Sequence, residues 1–269
     1  MDEDDAGDRF SNAMRLLLLI AAVAEPLSEA ARVAAPTKSV AVLHAESRLQ
    51  KLDFWLRNPD YLADELLNDY ERTGDPLDLQ LAAEILNSDE PEICAIPMVR
   101  YLFGAFEELD RALSVLVAPG LLIIKPQRTP DRVLQDSYFL TEKGSELAAR
   151  ASAEFPELHW YTERALLVRA LAEAAGHSAI ALARRQYLQR DYAETPLREV
   201  IPSIANRCRE RLAILRSELL DHGEAGSGHA GRRWEPGFQR WSYRYSVSGG
   251  GFSFLCGAEG YAAGMTVTV

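Results

Sequence analysis

The sequence predicts a mainly helical protein with a small β component. Three observations lead there. Apolar residues recur at spacings of three, four and seven over long stretches, as they do along helix faces. Residues 120–148, "GLLIIKPQRTPDRVLQDSYFLTEKGSELA", read as a short apolar run, a polar stretch, a second short run and a helix start. Near the C-terminus "FQRWSYRYSVSGGGFSFLCG" alternates aromatic and polar residues around a glycine run, the pattern of a β-hairpin.

The strand–loop–strand–helix order of 120–148 is the grammar of a winged helix. The chain divides by composition into a helical segment over 1–38, a winged helix-turn-helix domain over 39–156, C-terminal helices over 157–221, and a Gly-rich linker with an aromatic tail over 222–269. At 269 residues and 48% apolar, the chain is long and apolar enough to build a core.

The elements follow in order. Residues 1–9 are acidic and expected to fray. Residues 11–24 form an apolar helix that stops at Glu25-Pro26, because proline disfavours helical geometry in the residue before it. The run Leu16 to Ala24 has the length of a signal-peptide core, but the chain opens "MDEDDAGD" where a signal needs a basic start, and a membrane span needs about 20 apolar residues. A buried first helix is therefore expected. A short helix "LSEAARVAA" ends at Pro36.

Val42, Leu49, Leu52 and Leu56 make one helical face within 39–57, and Asn58-Pro59 starts a second helix with Tyr61, Leu62, Leu66 and Leu67. "LDLQLAAEIL" (77–86) is a further helix. In 93–120, Met98 to Phe103 reads as one short element and Gly104 as a turn. The helix 105–118 then places Phe106, Leu109, Leu113 and Leu116–Val117 on its inner stripe, and Pro119-Gly120 ends it. The strands 121–125 and 137–140 enclose the loop of the wing. Thr141 caps a helix running to Phe155-Pro156. Helices over 157–191 and 195–220, the first interrupted near Gly176, precede the linker. The tail hairpin, marginal by itself in water, either docks on something or stays disordered.

Chemistry-bearing patterns are few. There is no GxxxxGK[ST] and no GxSxG, and "SGGGFS" (248–253) lacks the strand-to-helix setting of a phosphate loop. Cys94, Cys208 and Cys256 lie far apart, and five scattered histidines offer neither HExxH nor a Cys/His group, so neither disulfides nor a metal is expected, and a reducing cytoplasm fits. His44 and Glu46 echo the HxE of zinc deaminases without its PCxxC. Asp53, Asp60, Glu65 and Asp69 read as a solvated face.

Charge sets what the chain can hold. The net charge is −11. Residues 1–159 carry 15 Lys/Arg against 29 Asp/Glu, a balance of −14, while 160–218 carry 10 against 7. Phosphate backbones are repelled by most of the first half. A DNA-reading helix brings Arg, Lys, Asn or Gln to base edges, whereas 105–118 offers Glu107, Glu108 and Asp110 against Arg111. The wing candidates Lys125, Arg128 and Arg132 are partly offset by Asp131 and Asp136. The basic stretch "ARRQYLQR" (183–190) places Arg184, Arg185, Tyr187 and Arg190 as partner-binding candidates, since Arg and Tyr concentrate binding energy at interfaces. "GRRWEPGFQRW" (231–241) mixes arginine with tryptophan, suited to stacking or docking.

"RLQKLDFWLRNPDYLADEL" (48–66), "PMVRYLFGAFEELDRALSVLVAPGLL" (97–122) and "FLTEKGSELA" (139–148) together resemble the small middle components of bacterial ABC-three-component systems. Those are winged-helix proteins encoded beside an SMC-like or ABC-type ATPase, in loci of conflict with phages and plasmids. The likeness spans about 40–150. Its LTxKG piece (Leu140, Thr141, Lys143, Gly144) is common to many winged helices. It implies a non-catalytic cytoplasmic subunit without cofactor that bridges the ATPase and an effector. The alternative is a winged-helix transcriptional regulator, and an enzyme comes third.

Overall fold

The computed structural model describes residues 3–88, 98–101, 104–128, 133–176, 178–225, 243–248 and 251–256. It is mainly helical with a small antiparallel sheet, as the sequence predicts. Met1–Ala225 forms one compact unit and Gly226–Val269 a second.

Helix α1 (Glu3–Val23) is the axis of the first unit. It starts inside the stretch expected to fray. Leu16 through Ile20 are fully buried because α8 (Pro156–Ala174), α6 (Asp110–Val117), α7 (Glu142–Glu154) and α3 (Glu46–Arg57) all pack on it. Helix α2 (Glu29–Ala34) is short and exposed, capped by the Ser28 hydroxyl accepting from the Ala31 N–H. Among the described residues no single helix is long and apolar enough to cross a membrane.

The four-stranded sheet has the order β1 (Glu25–Pro26), β2 (Ser39–His44), β6 (Val133–Thr141), β5 (Leu122–Arg128), antiparallel throughout. The expected pairing of 121–125 with 137–140 is present, with Ile123 opposite Phe139. Edge strand β5 carries Pro126, which removes one backbone donor from the open side.

Residues 39–44 overturn the helix expected across 39–57: they are β2. Val42 therefore belongs to the sheet, and the helical face begins at Leu49. Ala45 makes the break, with φ of 70° and its N–H donating to the Asp136 carbonyl. In α3 every residue from Arg48 to Arg57 is buried, so Asp53 is no part of a solvated face. Helices α4 (Pro59–Thr73) and α5 (Pro76–Asn87) begin with proline in the first turn and turn about Gly74, in the left-handed region at φ 73°. Glu65 and Asp69 are buried as well.

The helix-turn-helix expected over 93–120 is not what its described residues form. Val99–Tyr101 is strand β3 and Gly104–Phe106 is strand β4, paired as a hairpin, and α6 is left with only Asp110–Val117. Phe106 thus lies on a strand and is exposed, and Val117 faces solvent from α6, so neither is on the inner stripe, while Leu109, Leu113 and Leu116 are buried as expected.

The LTxKG piece clamps the end of α6 to the start of α7. The Thr141 hydroxyl donates to the Gly120 and Leu121 carbonyls at 2.8 and 3.0 Å and accepts the Gly144 N–H at 3.1 Å. The Lys143 ammonium donates to the Pro119 carbonyl.

Beyond Ala174 the long helix breaks at Gly176 (φ 80°) into α9 (Ala179–Leu188) and α10 (Arg190–Glu194). Residues 195–204 are not helical, and α11 runs Ala205–Ala225, past the expected start of the linker at 222. The rest of the linker, with "GRRWEPGFQRW", lies outside the described residues. In the second unit β7 (Tyr243–Ser248) and β8 (Gly251–Cys256) pair antiparallel, the hairpin the aromatic alternation predicts.

Candidate interaction surface

A segment of distant sequence, residues 198–201, bonds along β3 through an isolated bridge. The Arg100 N–H donates to the Glu199 carbonyl, the Arg198 N–H to the Arg100 carbonyl, and the Ile201 N–H to the Met98 carbonyl, at 2.8–2.9 Å. Val200 thereby stands opposite Val99, and Phe106 stands opposite Val99 from the other side. Side chains alternate between the two faces of such a ribbon. Met98, Ala105 and Ile201 are buried on one face. On that side the Arg100 guanidinium lies over the rings of Tyr187 and Tyr192, centroids 5.4 and 5.8 Å away, and donates to the Thr195 carbonyl.

The other face is apolar and open. Tyr101, Phe106 and Val200 are 43%, 37% and 54% exposed, half-buried Val99 lies between them, and the Tyr101 and Phe106 rings are 5.1 Å apart. Water-facing apolar side chains in contiguity mark a contact surface more often than scattered ones do.

Polar groups of α3 hold this ribbon to the core. The Gln50 side-chain amide donates to the Glu107 carbonyl at 2.6 Å and accepts the Glu107 N–H at 3.1 Å, acting as a short surrogate strand. The Lys51 ammonium reaches the Ala105 carbonyl at 3.4 Å, and burial pulls its pKa down to about 8, opposed by nearby Glu46. The Glu107 carboxylate turns inward onto the Arg57 guanidinium. Arg57 and Arg15 share Asp53, with Arg15 Nε 2.9 Å from Asp53 Oδ1 and both side chains fully buried. Glu107 is therefore absent from the outward face of α6. That face presents Asp110, Arg111, Ser114 and Val117, with Glu108 ahead of them.

The four basic-patch candidates separate. Arg185 turns to buried Glu65, at 3.4 Å, where the Gln189 amide also donates at 2.9 Å. Burial raises the Glu65 carboxyl, opposed by Arg185 and Gln189. Tyr187 packs edge-on against Tyr192 and its hydroxyl reaches the Tyr101 carbonyl at 3.4 Å. Arg184 and Arg190 are exposed, Arg190 pairing with Glu194 of its own short helix at 2.8 Å. What α9 shows to solvent is the i, i+4, i+8 row Ile180, Arg184 and Leu188, with the two apolar members 68% and 82% exposed.

Of the residues expected on a wing, Lys125 is exposed in β5 opposite Ser137, Arg128 ends β5, and Arg132 lies outside the described residues. A polar ladder crosses the β2–β6–β5 sheet: the His44 ring bonds the Ser137 hydroxyl at 2.9 Å, Gln127 bonds His44 at 3.2 Å, and the Gln135 amide donates to Gln127 at 2.8 Å. The cleft between the end of α1 and α8 holds Arg48 and Arg169, each beside a glutamate, Glu25 at 2.9 Å and Glu173 at 2.8 Å. Among the described residues no group of His, Cys, Asp and Glu is arranged to hold a metal ion.

Sequence reading missed the ribbon because 195–201 meets β3 only through the tertiary fold. The alternation Val99, Tyr101 and the β-branched Val200-Ile201 were the available signals. No family model, curated protein or solved structure matches the chain.

Proposed function

We propose that this chain is a non-catalytic winged-helix accessory subunit, bridging an SMC- or ABC-type ATPase and an effector in a bacterial system of conflict with phages and plasmids. The observation that carries the winged-helix part is topological. Helix α1, strand β2, helix α3, helix α6 and strands β5 and β6 follow one another in that order, and β6 lies between β2 and β5. Helices α4 and α5 and the β3–β4 hairpin are an insertion between the two helices that normally form the helix-turn-helix.

A protein rather than a DNA partner is favoured by the outward face of α6, which pairs Asp110 and neighbouring Glu108 with Arg111 alone. Such a face has no fork for base edges and repels phosphates. The α9 row, apolar at both ends and cationic in the middle, suits a partner surface with an acidic group between apolar pockets. The regulator reading draws on the exposed Lys125 of the wing.

Two measurements separate these readings. DNA affinity at physiological salt is expected at the nonspecific level of about 10⁻⁴–10⁻⁶ M or weaker; nanomolar, sequence-selective binding establishes the regulator instead. In co-purification from the native host, Arg184→Glu with Leu188→Ala is expected to lose the ATPase or the effector while circular dichroism stays unchanged. Full retention of both removes the α9 face from the interface.

A further inference from the structure

We infer that helix α9 is a latch, built to undock from α3 and α4 as a local unit while the rest of the first unit stays folded. The inference does not rest on the bridging role: it is read from the buried side of α9, and its test needs no partner.

The latch is seated inside out. Of its ten residues only Leu182 and Gln186 are fully buried, while the apolar Ile180 and Leu188 face water. Its inward side thus holds an amide where a soluble helix normally carries its apolar stripe. Neither Oε1 nor Nε2 of Gln186 has a hydrogen-bond partner. An amide buried in this way loses its bonds to water and gains none, which offsets much of what the burial of Leu182 contributes.

Much of the remaining hold is electrostatic. Arg185 lies 3.4 Å from the Glu65 carboxylate, and Gln189, just past the end of α9, donates to it at 2.9 Å. Burial raises the Glu65 carboxyl, Arg185 and Gln189 oppose the rise, and Asp69 and Asp64 add to it. Seating α9 therefore takes a charged pair out of water, and such a pair fails when either partner is removed. Tyr187 adds an edge-on contact with Tyr192, a place under the Arg100 guanidinium and a long hydroxyl bond of 3.4 Å to the Tyr101 carbonyl.

Both ends suit a pivot. Gly176, ahead of α9, holds a φ of 80° with open space beside it. At the other end the chain leaves helical geometry at Gln189 and re-enters it as α10. There fully buried Tyr192 packs on Phe54 at 5.5 Å and Asp191 pairs with Arg207 at 3.1 Å, contacts that stay in place when α9 leaves. Opening returns Gln186 to water, uncovers Glu65 and moves the row of Ile180, Arg184 and Leu188, so the closed and open states present different surfaces. Segments with few buried apolar contacts are the ones that open locally.

The test is amide hydrogen exchange on the full chain, read peptide by peptide by mass spectrometry, with circular dichroism on every variant. The α9 amides are expected to be protected at least about a hundredfold less than those of α3 and α4, at a level that urea barely changes below the unfolding transition. Gln186→Leu removes the unpaired amide and should raise α9 protection about tenfold. Gln186→Met, unbranched like glutamine, guards against misfit of a branched side chain. Arg185→Ala strands the Glu65 carboxylate and should lower α9 protection about tenfold. Protection of α9 equal to that of α3 overturns the latch. So do two Gln186 variants that both leave α9 protection unchanged or lower, or an Arg185→Ala chain that exchanges in α9 as the parent does.

Discussion

Gly144→Ala tests the clamp at the start of α7 most sharply. A Cβ at Gly144 would stand 2.2 Å from the Leu121 carbonyl oxygen, and 3.0 Å from both the Leu121 carbonyl carbon and Leu140 Cδ1. Tolerable contact needs about 1 Å more, so α7 must move away from Leu121, the residue that leads into β5. The obstacle is backbone and cannot rotate away. Overpacking of this kind costs roughly 1–3 kcal/mol. Separation also stretches the Thr141 hydroxyl bond, its one proton shared between the Gly120 and Leu121 carbonyls, and the exposed Lys143 bond to Pro119, together worth about 1–2 kcal/mol. Alanine returns at most about 1 kcal/mol of helix propensity. The net loss is about 2–4 kcal/mol, which for a unit of this size lowers Tm by roughly 5–15 °C. Gly74→Ala is the control: it has open space around it and only its left-handed φ to satisfy, at about 1 kcal/mol. Thermal melts of the two variants rank them. Gly144→Ala melting at or above the parent, or losing less than Gly74→Ala, refutes the clamp.

The buried charge network should fail when one partner is removed: Asp53→Ala leaves buried Arg15 and Arg57 short of their shared carboxylate and is expected to cost about 3–5 kcal/mol in urea unfolding; a loss under about 1 kcal/mol would show the network to be dispensable. Asp78 is held up to about 7 by burial first and then by Asp69 and Asp75, with Arg72 and the Thr73 hydroxyl opposing. The folded chain therefore holds this proton between pH 3.8 and about 7 while the unfolded chain releases it, so the stability it contributes is complete below 3.8 and lost as pH rises through 7. Asp78→Asn should flatten that slope and raise stability at pH 8 by about 1–2 kcal/mol, after allowance for solvent screening; an unchanged slope between pH 4 and 7 would place the titration elsewhere. Phe106→Ala, on an exposed strand position, should cost about 1 kcal/mol or less in the same unfolding assay; a loss of 3 kcal/mol or more would show Phe106 to be a core residue.

Local rules were enough wherever punctuation and periodicity agreed. Pro59 and Pro76 in first turns, Gly74 and Gly120 at positive φ, and Thr141 as a cap are chemical necessities of the chain, and helices and turns stand at those places. Strands β5 and β6 were legible because glycine and proline bounded the first and β-rich residues filled both. Tertiary structure decided the rest. Residues 39–44 are buried on both faces of β2, so their apolar run carries no period to tell strand from helix. The break after them falls on Ala45, without a glycine to announce it, because the Asp136 carbonyl supplies the bond that holds it. Arg15 meets Asp53 across 38 residues, and Arg100 meets Thr195 across 95, and no local pattern encodes such partners. The same distance hid the interaction surface: Val200 bridges to Val99 from 101 residues away, and half-buried Arg185 turns inward to Glu65. The sequence by itself determined the helix ends that proline, glycine or a capping hydroxyl marked. Which charges were buried and which apolar side chains were left facing water was decided by contacts between segments far apart in the chain.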